Sequence, residues 1–292
     1  MASQQFHMEL VARVEPEEEF ARLAVAWMQA ARRVLFPRFD DELQRGPVLN
    51  AAALKDDTGL VPRGEPNGIW AAMQVHKDLY SSPSPLRLYS PTSWQRFVDA
   101  LACRSYGAWL FMEPLDAAGR SASGSIRIGV SYADEDFPEW MRVEVMSEFT
   151  QIVPADEQRA WASFIKPWAT GMQACWGHIT DDFADPETSH EDATGQSVYE
   201  TIPKCSEALR GYSWVTIVAP ELMQALGGAQ AIRNTCAFTQ VDELSHGGGF
   251  LQATDNLEEY GGESVQNVFR ALAPVLLPGR TVNVFHQHPW DG

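Results

Sequence analysis

A histidine followed by three glycines is the first stretch whose residue types could do chemistry. Residues 245–249 read SHGGG, and HGGG supplies the oxyanion-hole N–H groups of some lipases, where it works with a G-x-S-x-G nucleophile elbow. The chain contains no G-x-S-x-G, and residues 211–215 (GYSWV) lack the closing glycine. We therefore interpret the triplet as a turn between strands, and keep a hydrolase or transferase centred on His246 as an alternative.

Histidines and carboxylates that could bind a metal occur at two places in the sequence. His286 and His288 form an H-x-H pair, and His178 lies three residues before Asp181 and Asp182. Zinc and iron sites need three or four ligands that converge on one point. These residues are far apart in the chain, and no H-E-x-x-H links them. The sequence therefore predicts neither a metal site nor a cofactor.

Other catalytic signatures are absent from the sequence. Neither G-x-x-x-x-G-K-[ST] nor G-x-G-x-x-G occurs, so no phosphate-binding loop is predicted. A pair of acid–base carboxylates cannot be selected from 39 acidic residues, because such pairs are defined by spatial separation and burial. On these grounds we predict a protein that is not an enzyme.

The net charge restricts the class of partner. The chain carries a formal charge of −17, with 39 acidic against 22 basic residues. A negative field repels nucleic acid and anionic membranes, and the few lysines and arginines form no basic stripe. The same field attracts a cationic partner and accelerates its association. We therefore predict a protein partner, and neither nucleic acid nor membrane.

The four cysteines bear on the compartment. Cys103, Cys175, Cys205 and Cys236 are widely spaced and match no zinc or redox motif, so we predict small buried hydrophobic residues in a reducing compartment. The first ten residues lack the basic and apolar regions of a secretory signal, and no apolar run has the length of a membrane span. These features predict a cytoplasmic protein.

The stretch from 211 to 279 contains the clearest structural signals. Residues 212–219 carry bulky side chains at both alternating positions, which predicts a central strand covered on both faces. Pro220 and Glu221 suit the first turn of a helix, and the glycines at 227–228 suit its end. A covered strand followed by a capped helix is typical of a layered fold.

Patterns elsewhere complete the predicted architecture. We expect helices over 15–36, from Ser90 onward and from Pro154 onward, the first ending at Pro37 and the last ending or kinking at Pro167. Strands are expected over 68–77, 108–112, 126–132, 141–146, 174–180, 238–244 and 250–254. Irregular chain is expected over 40–67, apart from a short helix at 48–54, and a long exposed loop over 181–197. A last helix is expected over 265–272.

The fold class follows from this order of elements. Alternation with a period of two over 126–132 and 141–146 favours antiparallel pairing. We predict an α+β fold with one or more mixed or mainly antiparallel sheets flanked by amphipathic helices. The predicted domains are an N-terminal α+β region over 1–139 and a C-terminal α+β region over 140–292, or alternatively one continuous domain.

Short motifs in the second half of the chain resemble a known family. They are VYE (198–200), LRGYSWVTIV (209–218), LGG (226–228), AF (237–238), GGGFLQAT (247–254) and VFRALAPVL (268–276). Over about residues 140–279, the pattern resembles bacterial polymorphic-toxin immunity proteins of the immunity protein 52 type. The resemblance implies a protein without catalytic residues, which binds a co-produced toxin domain in the cytosol and blocks its active site.

The charge agrees with this implication, because toxin domains that attack nucleic acid are commonly basic and an acidic inhibitor can mimic their substrate. Two acidic segments are hypothesised to form the partner-binding surface. Their residues are Asp181, Asp182, Asp185, Glu187, Glu191 and Asp192 in the first, and Asp255, Glu258, Glu259 and Glu263 in the second. A third hypothesis is that the chain is an accessory protein of a secretion or phage-derived assembly.

Overall fold

The computed structural model describes residues 4–14, 18–46, 61–77, 85–101, 105–133, 137–149, 153–181 and 187–279. The chain divides into two compact units. Unit 1 consists of residues 1–5 and 14–153, and unit 2 of residues 6–13 and 154–292. Each unit has its own strands, helices and buried residues, and each is described by itself below.

The bounds of the elements are as follows. The strands are β1 (Gln4–Arg13), β2 (Ile69–His76), β3 (Arg87–Leu88), β4 (Gly107–Pro114), β5 (Ile126–Tyr132), β6 (Trp140–Phe149), β7 (Trp176–Thr180), β8 (Val215–Val218), β9 (Gln240–Glu243) and β10 (Gly249–Gln252). The helices are α1 (Glu18–Leu35), α2 (Pro37–Arg45), α3 (Pro91–Leu101), α4 (Ala155–Gly171), α5 (Ser189–Thr194), α6 (Val198–Thr201), α7 (Pro220–Ala225), α8 (Gly228–Asn234) and α9 (Glu263–Leu272).

Unit 1 is a meander of antiparallel strands with helices packed on it. Its strand order is β3-β2-β4-β5-β6, and every neighbouring pair is antiparallel. Helix α1 packs on β5 and β6 through an apolar face, where the ring of Phe20 stacks on Tyr132 at a centroid distance of 4.1 Å. Helix α3 begins as predicted, because the Ser90 hydroxyl accepts a hydrogen bond from the backbone N–H of Ser93 at 3.0 Å.

Unit 2 is built on the strand order β1-β7-β8-β10-β9, again antiparallel throughout. All four residues of β8 are buried, which confirms the prediction of a central covered strand. Pro220 begins α7 and Gly227 adopts a left-handed φ of +83°, as the helix signals predicted. The α+β prediction with antiparallel pairing is therefore confirmed.

Helix α1 ends at Leu35, so the prediction that it ends at Pro37 is confirmed. The expectation of irregular chain from residue 40 was wrong as far as Arg45, because Pro37 occupies the first turn of α2, where its missing N–H costs nothing. The expectation that α4 ends near Pro167 was wrong, because the helix continues to Gly171; a kink at this proline stays a prediction. Tertiary packing of its apolar face, which includes the buried Trp161 and Ile165, compensates the lost hydrogen bond. The short helix expected over 48–54 lies outside the described residues.

The expectation for the cysteines was also wrong in part. Cys175 and Cys205 form a disulfide that joins residues 30 positions apart, and Cys236 is an exposed free thiol. Cys103 lies outside the described residues. The bond connects the start of β7 to the turn that follows α6, and so closes a loop that contains His178 and Glu191.

Over the part of the chain that the structure describes, no helix combines the length and the apolar character that crossing a membrane requires.

Candidate partner-binding surface and buried charge cluster

The predicted acidic residues between β10 and α9 form an exposed surface. We call residues 255–263 the acidic segment, and its carboxylates belong to Asp255, Glu258, Glu259 and Glu263. All four residues are exposed. A short 3-10 turn over Leu257–Glu259 carries the two central glutamates, and Glu263 begins α9, where the positive end of the helix favours a carboxylate.

The acidic segment is held in place by one buried side chain. Gln158 of α4 accepts a hydrogen bond from the backbone N–H of Leu257 at 2.7 Å. Its amide nitrogen donates to both carboxylate oxygens of Glu258, at 2.9 and 3.1 Å. Because Gln158 is buried, it fixes the turn to unit 2.

No described cation neutralises this surface. Among the residues that the structure describes, none of the four carboxylates of the acidic segment lies in an ion pair. Their hydrogen bonds come from amides, such as the side chain of Asn256 that donates to Glu259 at 3.3 Å. Four like charges within nine residues therefore give a local negative potential that a basic partner can neutralise.

The other predicted acidic segment, residues 181–192, is only partly a surface. Asp181 is exposed, and Glu187 and Asp192 are half-buried. Asp182 and Asp185 lie outside the described residues. Glu191 has no exposed surface, so its assignment to the partner-binding surface is corrected. The exposed loop expected over 181–197 is likewise corrected, since α5 lies within it and four of the six residues of this helix are buried.

Glu191 is buried because it has three structural partners. Together with Thr188 it forms a capping box at the start of α5, in which its carboxylate accepts the backbone N–H of Thr188 at 2.7 Å. The guanidinium of Arg210 donates to both of its oxygens, at 2.8 and 3.1 Å. The hydroxyl of Thr201 donates to Oε1 as well. A charge with this many partners can be removed from water.

Arg210 lies between two buried carboxylates. Besides Glu191, it donates to Oε1 of Glu9 on β1 at 2.9 Å, and its guanidinium lies 4.3 Å from the ring centroid of Trp176. We call Glu9, Glu191 and Arg210 the charge cluster. The side chains of the cluster are at most 2% exposed, so these charges are sealed from solvent.

Two buried histidines adjoin the charge cluster. His7 and Glu9 are two residues apart on β1 and therefore share one face of the strand, and His178 lies opposite Glu9 on β7. Nδ1 of His7 and Nε2 of His178 are 3.1 Å apart, and Nδ1 of His178 is 3.3 Å from the hydroxyl of Ser213. The sheet thus brings together polar groups that are remote in sequence.

Sequence reasoning missed most of this site. We predicted no strand at residues 4–13, although FHMEL alternates between apolar and polar residues and could have indicated one. Arg210 and Ser213 lie within the motif LRGYSWVTIV, which was used only as a family resemblance. His286 and His288 lie outside the described residues. The convergence of His7, Glu9 and His178 has no local signal.

The surroundings of His246 agree with the turn interpretation of the glycine triplet. It lies in the turn between β9 and β10, where the backbone N–H of Leu244 donates to the carbonyl of Gly248 at 2.8 Å. Among the described residues, neither ring nitrogen of this half-buried histidine has a hydrogen-bond partner. Ser213 contacts His178 instead. A hydrolase or transferase centred on His246 stays an untested prediction.

Comparisons with known proteins provide one informative likeness. No protein-family model matches the chain. No curated protein matches it either. Among solved structures, the chain is similar to a Pseudomonas aeruginosa T6SS protein, with 11% sequence identity and a TM-score of 0.51. The similarity covers 99% of this chain and 78% of that one. At this identity the likeness shows the fold alone.

Proposed function

We propose that this protein is a non-catalytic immunity protein, which binds a cognate toxin domain and neutralises it by covering its active site. The observation that carries the proposal is the acidic segment, whose four carboxylates are exposed, close together in sequence and without ion pairs among the described residues. Such a surface stays solvated in the free protein and gains favourable interactions when a basic partner covers it.

The charge of the whole chain supports a basic partner. A net charge of −17 produces a long-range field that attracts a cationic domain before contact and raises its association rate. The acidic segment then supplies short-range complementarity in one place. An inhibitor of a nucleic-acid-degrading toxin needs these two properties, because it competes with a polyanionic substrate.

The likeness to a Pseudomonas aeruginosa T6SS protein supports a setting in toxin secretion. The family resemblance of residues 140–279 independently suggests an immunity protein of the immunity protein 52 type. Neither observation identifies the toxin. Together with the acidic segment, they favour a stoichiometric inhibitor over an enzyme.

The compartment belongs to the same proposal. The sequence features favour the cytoplasm, whereas a disulfide such as Cys175–Cys205 is typical of oxidising compartments. Alkylation of free thiols after the cells are acid-quenched and the protein is denatured distinguishes the two, because Cys205 has no exposed surface in the folded chain. If Cys175 and Cys205 react directly, the protein acts in the cytoplasm; if they react only after reduction, it acts outside it.

The proposal is tested by co-expression with the product of the adjacent gene. We expect a one-to-one complex, whose association rate falls steeply as salt is added. A variant with Asp255→Asn, Glu259→Gln and Glu263→Gln should associate on the order of tenfold more slowly at low salt, with a weaker salt dependence. Stopped-flow or surface-plasmon-resonance kinetics measure both quantities.

A matched control removes the same charge from another exposed surface. Asp41→Asn, Glu65→Gln and Asp99→Asn change three exposed residues of unit 1 and leave the acidic segment intact. The control should retain most of the association rate. Equal slowing by both variants would assign the effect to net charge alone, and absence of any complex would remove the immunity proposal.

An accessory protein of a secretion assembly is the second candidate, because the likeness to a T6SS protein fits that role equally well. Such a protein would form an ordered self-assembly, or would bind assembly components without protecting cells from a toxin. Light scattering of the purified chain and a toxin-protection assay separate the two candidates. A monomer that protects cells supports the immunity protein.

A further inference from the structure

The buried histidines and Glu9 of unit 2 have the geometry of metal ligands. One ligand atom from each of His7, Glu9 and His178 lies within 4.8 Å of the others, and all three residues are buried. Antiparallel pairing of β1 with β7 fixes this arrangement, since Glu9 and His178 are directly opposite. Side chains fixed on neighbouring strands need little further ordering to converge on an ion.

The spacing of the imidazole nitrogens suits a shared ion. Nδ1 of His7 and Nε2 of His178 are 3.1 Å apart. Two ligands on a tetrahedral zinc ion with Zn–N bonds of about 2.0–2.1 Å are about 3.3 Å apart. A small adjustment of the two rings would therefore replace their mutual contact with bonds to one cation.

The charge balance of the region favours a cation. Among the buried residues of unit 2 that the structure describes, Glu9 and Glu191 carry two negative charges and Arg210 carries one positive charge. An excess negative charge that is sealed from water is costly unless a counter-charge accompanies it. This counter-charge can be a divalent cation or a proton, and in either case the histidines beside Glu9 are the groups that would bind it.

Groups around the three residues would orient them as ligands. Arg210 donates to Oε1 of Glu9 at 2.9 Å, which fixes the orientation of this carboxylate. The hydroxyl of Ser213 lies 3.3 Å from Nδ1 of His178, which directs Nε2 of the same ring toward His7. Hydrogen-bonded outer partners of this kind fix ring orientation in metal sites.

We propose that His7, Glu9 and His178 form a buried binding site for a divalent transition metal ion, with zinc as the best match to two imidazoles and one carboxylate. The site is separate from the acidic segment, and its existence does not depend on the proposed immunity function. Its role would be to neutralise the charge cluster and to join β1 to β7.

The test uses the full chain without an affinity tag, carrying His286→Asn and His288→Asn so that the H-x-H pair cannot bind metal. The protein is unfolded with chelator, refolded with ZnCl₂ or without metal, and analysed by native mass spectrometry and X-ray absorption. We expect one zinc per chain, nitrogen and oxygen ligands that include two imidazoles, and a higher melting temperature than without metal.

Variants then locate the ion. His178→Asn should weaken zinc binding by at least about 100-fold, while His246→Asn, which changes a half-buried histidine of the same unit, should leave it unchanged. If His178→Asn fails to fold, the number of imidazole ligands that X-ray absorption detects in the protein with His178 intact still tests the proposal. The proposal would be overturned if the chain refolds with ZnCl₂ but binds no zinc. It would also be overturned if His178→Asn retains zinc as well as His246→Asn does. In either case the balancing charge would be assigned to a proton.

Discussion

The two units each bury a charged network, but with opposite composition. In unit 1, Glu144 on β6 lies between two arginines, with Arg127 at 3.2 Å and Arg142 at 3.4 Å. In unit 2, Arg210 lies between the two carboxylates of Glu9 and Glu191. Counted over these three residues in each unit, the first network has one more positive than negative charge, and the second has one more negative than positive charge.

Solvent access separates the two networks further. The arginine side chains of unit 1 are 22% and 12% exposed, so water stabilises their excess charge. The side chains of the charge cluster are at most 2% exposed. An unequal number of charges is tolerated where water reaches them and needs a compensating group where it does not. This contrast supports the metal proposal, whose basis is the convergence of His7, Glu9 and His178.

Removing the central arginine of unit 2 should have the largest effect on stability. Arg210→Met leaves two carboxylates buried without their cation, so we expect a loss of about 3–5 kcal/mol in the free energy of unfolding. Arg127→Met in unit 1 leaves Glu144 paired with Arg142 and should cost about 1 kcal/mol. Urea titration followed by tryptophan fluorescence measures both.

Glu9→Gln is the control for this comparison. In the metal-free protein it removes the excess negative charge but keeps an oxygen that can accept from Arg210, so there it should cost only about 1 kcal/mol. If Arg210→Met and Arg127→Met are equally mild, the two networks are energetically equivalent and burial has no special role in unit 2.

The disulfide is expected to have the second-largest effect. Replacing both Cys175 and Cys205 with alanine frees the loop that carries His178 and Glu191, which should lower stability by roughly 2–4 kcal/mol. Cys236→Ala is the matched control because this free thiol is exposed. Hydrogen exchange followed by mass spectrometry should place the loss of protection in unit 2. A loss of protection that is equal in unit 1 would contradict the assignment.

The smallest effect is expected from the partly exposed pair of Lys166 and Asp242, whose charged atoms are 2.6 Å apart. The hydrogen bond from Lys166 lowers the pKa of Asp242, although burial of the carboxyl opposes the shift. The folded-state pKa is therefore below the unfolded value of about 3.9, so the contribution is complete above that pH and disappears as pH falls through the folded-state pKa.

We accordingly expect Asp242→Asn to cost less than about 1 kcal/mol at neutral pH, with the difference from wild type shrinking below about pH 4. Urea unfolding of both proteins over this pH range measures the difference. A cost that persists in strong acid would point to packing or hydrogen bonding of the side chain rather than to its charge.

Local signals in the sequence predicted much of the fold. The alternation in β5 and β6, the buried run of β8 and the start of α3 at Ser90 and Pro91 each depend on neighbouring residues. The sequence also nominated four acidic residues as a binding surface from their charge, and all four are exposed, namely Asp255, Glu258, Glu259 and Glu263. Periods and caps report such short-range preferences.

Glu191 shows where these local signals stop. Its segment is as acidic as the one between β10 and α9, but its carboxylate is buried against Arg210, which is 19 residues away. Helix α4 likewise continues past Pro167 because its apolar side chains are packed in unit 2, and such packing cannot be predicted from the local sequence. Composition alone could not separate a buried acid from an exposed one.

By itself, the sequence determined the fold class and the acidic charge, because these depend on composition and on residues close in the chain. Only the tertiary structure decided which charges are buried. It paired Glu9 with Arg210 across 201 positions and His7 with His178 across 171, and it joined Cys175 to Cys205. Such pairs form because segments distant in sequence become neighbours in the folded unit, and burial then makes each polar group depend on its partner.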